Sequence, residues 1–145
     1  MDAKTLIQKL NVPFANLPGK LDATSSEQFC AQFKELFSSS AARNARSVVY
    51  IWSTTVPIPR LRSQSNVVYI GKTLNTLFER HHKYASVEAN GKELCNWQRY
   101  EHIIQNHGPI TISYAVHANP ANAEKDLLKL YFDEHLELPP LNRKY

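Results

Sequence analysis

The chain has 145 residues, 43% hydrophobic and 21% charged, which fits one compact soluble domain with a short appended segment and excludes wholesale disorder. No apolar run is long enough to cross a bilayer, the opening MDAKTLIQKL has no secretory leader pattern, and Cys30 and Cys95 lack the spacing of a zinc site or a disulfide scaffold. These features predict a cytoplasmic protein with free thiols and no membrane partner.

The first 24 residues contain Pro13, Pro18 and Gly19, which break any long element. From Ser26, with Ser25 or Ser26 as N-cap, Phe29, Phe33, Leu36 and Phe37 fall at helical spacing. Residues 1–46 therefore read as an N-terminal helical extension. SVVYIW, residues 47–52, reads as a strand. A polar connection from Ser53 to Ser65 leads to a second strand, NVVYIG, residues 66–71. With no helix between them, the two strands most simply pair antiparallel. Residues 73–85 read as a helix with Leu74, Leu77, Phe78 and His81 on one face. A loop around Asn90 and Gly91 precedes a helix over 93–106 that buries Trp97, Tyr100 and Ile104, stopped by Gly108 and Pro109. Residues 110–116 alternate as a third strand, and Asn119-Pro120 opens a last helix that runs to about His135. The pattern predicts an α+β unit over 47–145: a small three-stranded antiparallel sheet flanked by helices.

The net charge is only +4, but its placement is uneven. No acid lies between Glu35 and Glu79, while Arg43, Arg46, Arg60, Arg62 and Lys72 are basic, and Arg80 and Lys83 follow. Such a stretch suits a phosphate backbone, and equally a solvated basic face. If Val49/Ile51 and Val68/Ile70 face the core, Tyr50 and Tyr69 share the opposite face, which brings two phenols together or merely reflects the liking of strands for tyrosine. Gly71 ends the second strand, where glycine lets backbone or ligand approach. Arg80 borders a buried helix face with Tyr84 at i+4. Its guanidinium suits a phosphate or the charge of a phosphorane-like transition state, and equally a snorkelling surface position. His81 and His82 point about 100° apart and make no metal pair, with His81 reading as core and His82 as surface or nucleic-acid-facing. Glu124, Leu128 and Tyr131 fall at i, i+4 and i+7. The carboxylate therefore either extends an apolar stripe, where it needs a partner or a metal, or is a first-turn acid facing solvent.

In order, these elements resemble the GIY-YIG nuclease superfamily. The first motif appears as Val48-Val49-Tyr50, with valine for the usual glycine, and the second is intact as Tyr69-Ile70-Gly71. The arginine motif runs from Gly71 to Arg80, the glutamate motif contains Ala123-Glu124, and the terminal motif is Pro139-Pro140-Leu141-Asn142. The resemblance covers residues 47–145. It implies a divalent-metal-dependent endonuclease, of restriction, phage or mobile-element type, acting on double-stranded DNA. Glu124 would hold one Mg²⁺ or Mn²⁺, Arg80 would stabilise charge on phosphorus, and Tyr50 would orient or deprotonate the attacking water. Lys72 or Arg80 would assist Tyr50, Tyr69 would position phosphate or Tyr50, and Asn142 would tie the tail to the site. Where many members carry a histidine four residues after the arginine, this chain has Tyr84, an alternative proton relay with His81 and His82. The connection between the tyrosines is longer than the family's short hairpin. Its Arg60 and Arg62, with Lys72, His82 and Lys83, are the expected nucleic-acid contacts. Base readout would fall to the loops Ser53–Ser65 and Ser86–Lys92. Cutting both strands of a palindrome calls for a homodimer, and the Phe29, Phe33 and Phe37 face either forms that interface or packs on its own domain. An RNA substrate, or a nucleic-acid-binding module without catalysis, are the alternative functions.

Overall fold

The computed structural model describes residues 1–85 and 96–142. Helix α1 (Ala3–Leu10) begins where the Asp2 side chain accepts the Thr5 N–H and ends at Asn11 in the left-handed conformation. A two-residue strand β1 (Ala15–Asn16) follows. Ser25 caps α2 (Ser26–Phe37) by accepting the Gln28 N–H, and Ser39 does the same for the short α3 (Ser40–Asn44). Strands β2 (Arg46–Pro59) and β3 (Gln64–Thr76) form one long hairpin. Thr76 then caps α4 (Leu77–His81), which tightens into a 3₁₀ turn over His82–Tyr84. Helix α5 (Asn96–His107), strand β4 (Thr111–Val116) and helix α6 (Pro120–His135) complete the order. Asn119 caps α6, and Pro120 fills its first turn, where a missing N–H costs nothing.

The sheet is antiparallel throughout, in the order β1-β4-β2-β3. The expected α+β class is present, with a fourth strand added. Ala15 and Asn16 pair with Tyr114 and Ser113, and two residues beside prolines show no periodicity to read. The expected polar connection Ser53–Ser65 is largely strand, since Ile58 and Pro59 still pair with Ser65 and Gln64. The expected helix over 73–85 begins only at Leu77. Arg46 pairs with Thr76, so the ladder holds residues 73–76 extended with Thr73 and Thr76 buried and Leu74 exposed. Within the hairpin the register shifts between Trp52 and Ser53. Val67 therefore joins Ile70 on one face, while Val68 joins the core opposite, correcting the expected Val68/Ile70 pair.

Helices cover both faces of the sheet. On one, Phe29, Phe33, Phe37, Leu77, Tyr100 and Ile103 from α2, α4 and α5 pack on Val48, Tyr50 and Trp52. On the other, Leu6 of α1 and Ala123, Leu127, Leu128 and Tyr131 of α6 pack on Val49, Ile51, Val67 and Ile70. Two covered faces explain why residues 48–52 are apolar without a break. The segment before Arg46 supplies β1, α1 and much of the first core, so it is built into the sheet. Phe29, Phe33 and Phe37 are fully buried in this core, and their face is not open for a dimer. Among the described residues, no helix is long and apolar enough to cross a membrane.

Candidate active site at the edge strand

Tyr50 and Gly71 are Cα partners across the hairpin. A Cβ built on Gly71 would lie 2.5–2.6 Å from Cε2, Cζ and the hydroxyl of Tyr50. The glycine is therefore needed because the Tyr50 ring lies across it. That ring is 1% exposed. Its centroid is 6.0 Å from that of Tyr69, and the His81 ring meets it edge-on at 5.0 Å. The expected pairing of phenols is present, but their face is a second core rather than bare sheet. Burial pushes the Tyr50 phenol well above its ordinary value, with Tyr69 and Glu124 adding to the rise and Arg80 opposing it. The hydrogen bond to Tyr69 adds to this rise.

Gly71 lies on β3, an outer strand of the sheet. Lys72 pairs with Val49 and so projects toward the α6 side, where it is exposed. Arg80 comes from α4 on the Tyr50 side. Glu124 comes from α6, one turn in, on the stripe continued by buried Leu128 and Tyr131. It is half-buried, and burial raises its carboxyl above the ordinary value, against the pull of Lys72 and Arg80. Neither cation forms an ion pair with it within 4.0 Å among the described residues. Arg80 thus acts electrostatically on both Tyr50 and Glu124, Glu124 acts on Tyr50, and Lys72 acts on Glu124. Among the described residues, no three His, Cys, Asp or Glu side chains converge. Glu124 is a single hard oxygen donor, the kind of contact by which Mg²⁺ binds through one carboxylate with water and phosphate completing its shell.

The other expected residues divide. Tyr84 sits below Arg80, whose Cζ lies 5.4 Å from the ring centre, and Lys83 Nζ is 5.3 Å from the same centre. Asn142 clasps the backbone of Ile70, accepting its N–H at 3.0 Å and donating to its C=O at 2.9 Å. Leu141 N–H donates to Val68 C=O, so the tail lines the edge of β3 beside Gly71. His82 and Lys83 are exposed near Arg80. Arg60 and Arg62 are placed elsewhere. Arg60 is nearly buried, paired with Glu137 at 2.8 Å and donating to Leu138 C=O at 2.7 Å. Arg62 donates to the carbonyls of Glu134 and Asp133. Arg62 thus meets the unpaired carbonyls at the C-terminus of α6, and Arg60 is tied to the segment that follows it, so both guanidinium groups are engaged within the protein at that end of the helix. The loop Ser86–Lys92 and the start of the helix at 93 lie outside the described residues.

Three contributions escaped the sequence. Phe37 stacks on His81 at 4.1 Å and 14°, and His81 in turn abuts Tyr50, a chain of contacts with no local signature. Arg99 donates to Pro140 C=O and braces the tail. Phe78 and His82 stack at 4.2 Å, which their i, i+4 spacing could have suggested. Comparison with protein-family models, characterised proteins and solved structures finds no match to this chain.

Proposed function

We propose that the protein is a divalent-metal-dependent nuclease of the GIY-YIG type that hydrolyses phosphodiester bonds in DNA. The observation that supports the reading is the electrostatic linkage of a buried tyrosine and a half-buried glutamate: Arg80 acts on both Tyr50 and Glu124, and Lys72 acts on Glu124. Arg80, with a permanent charge and planar donors, binds the scissile phosphate and offsets negative charge growing on it. Lys72 adds a second positive charge from the other side of the strand. Tyr50 is a phenol that burial keeps protonated. Its oxygen lone pairs accept a hydrogen bond from the attacking water and fix that water in line. Tyr69 holds Tyr50 in that orientation, and Asn142 keeps the tail against the strand carrying both Tyr69 and Gly71. Glu124 is the residue that would hold Mg²⁺ or Mn²⁺, which when bound supplies charge to stabilise the leaving oxygen.

Binding of nucleic acid without cleavage is the second reading. It is favoured by one observation: burial opposes ionisation of Tyr50, the group nearest the role of a base. Incubating the protein with supercoiled plasmid and with RNA, in Mg²⁺, Mn²⁺ or EDTA, separates the two. Metal-dependent cutting that Glu124→Gln and Arg80→Ala abolish supports the nuclease. Salt-sensitive binding with no cutting in any metal supports the binding module.

A further inference from the structure

The seven basic residues from Arg43 to Lys83 separate into groups in the fold. Arg60 and Arg62 are engaged at the C-terminal end of α6. Arg43 and Lys83 lie with Arg80 around α4, where Glu79 is already paired with Arg46 at 3.0 Å. On this surface the Arg43 Cζ is 4.0 Å from the centre of the Phe78 ring. The His82 ring stacks on Phe78 with centroids 4.2 Å apart and planes 13° from parallel. Two groups so close to one ring centre cannot share a face, so Phe78 is sandwiched between them. Each outer layer is pinned to backbone. Arg43 Nε donates to Ser38 C=O at 2.9 Å, and His82 Nδ1 donates to Phe78 C=O at 2.8 Å. Arg43 and His82 are exposed, while Phe78 is half-buried. The outer planes therefore meet solvent with their rotamers already fixed, which removes part of the entropy cost of stacking on a ligand.

We infer that the Arg43–Phe78–His82 stack is a platform for an unpaired nucleobase, taken from a strand whose phosphates lie against Lys83 and Arg80. The inference rests on the nuclease reading and adds a preference to it. A base inside a duplex presents only its edge, whereas an unpaired base offers a face to an aromatic ring or a guanidinium. Single-stranded segments and frayed ends are then preferred to blunt duplex.

Fluorescence anisotropy on the full chain in EDTA, with a labelled single-stranded DNA oligonucleotide and the blunt duplex of the same sequence, tests this. The wild type is expected to bind the single strand more tightly. His82→Ala should weaken single-strand binding by about tenfold and duplex binding by clearly less. His82→Phe, which keeps a flat ring, should restore it. Circular dichroism and thermal midpoints check that both variants fold. Single-strand affinity unchanged in folded His82→Ala, or lost equally on both probes, overturns the platform and leaves the nuclease reading standing. A wild type that binds neither probe overturns both.

Discussion

Gly71 carries more of the site than its size suggests. A side chain there would collide with the Tyr50 ring, and that ring cannot swing aside because His81 and Tyr69 pack against it. Gly71→Ala should cost about 1–3 kcal/mol, the usual penalty of overpacking, and should reduce cleavage far beyond that loss because Tyr50 is displaced. Denaturation midpoints and cleavage rates measured together check this. His81 makes a separate prediction. Burial among Phe33, Phe37, Tyr50 and Trp52 holds its imidazole down at about 3, from an ordinary 6.5. The folded protein keeps it neutral, whereas the unfolded chain takes up a proton below about 6.5. Its contribution is complete above that value and is lost as pH falls toward 3, at about 1.4 kcal/mol per pH unit. Urea unfolding at pH 7 and pH 5 should show this loss in the wild type and a smaller one in His81→Phe.

At the scale of elements, the hairpin and the last helix were the most legible parts. SVVYIW and NVVYIG announce strands by β-branched and aromatic residues, and Asn119-Pro120 announces a helix start that lies where expected. The limits of the elements were less legible. Thr73–Thr76 carries a helical-looking sequence but stays in the ladder because β2 is long enough to pair with it, a tertiary effect that local propensity cannot register. The Val67/Val68 bulge is equally invisible, because either valine suits either face. The tail illustrates a motif whose geometry follows from its chemistry. An asparagine amide offers one acceptor and one donor, the same pair a neighbouring strand would present to Ile70. Asn142→Ala should destabilise the protein by about 1–2 kcal/mol and release the Ile70 amide to faster hydrogen exchange. Unaltered protection of that amide would show that the tail does not seal β3.

Across the whole molecule, residues 1–46 look like an extension in sequence, yet in the fold they pack into both cores and the sheet formed with residues 47–142. Phe33 and Phe37 cover the Tyr50 face of the sheet, β1 extends it beside β4, and Leu6 packs on the opposite face. A chain beginning at Ser47 should therefore lack a cooperative thermal transition, and a cooperatively folded fragment would refute this dependence. The candidate residues Tyr50, Tyr69, Arg80 and Glu124 were readable because each breaks a local pattern: a phenol in an aliphatic strand, a cation at a helix boundary, an acid on an apolar stripe. What braces Tyr50 was not, since Phe37 stacks on His81, and His81 and Gly71 come against the Tyr50 ring, only after the chain has folded. The most direct measurement is cleavage of supercoiled plasmid in Mg²⁺ by the wild type and by Glu124→Gln, which keeps the shape of the side chain and removes its charge. The expected result is cutting by the wild type, none in EDTA, and none by a Glu124→Gln protein with an unchanged unfolding midpoint. Equal cutting by the variant would contradict the role given to Glu124, and no cutting of DNA or RNA by the folded, metal-supplied wild type would contradict the nuclease itself.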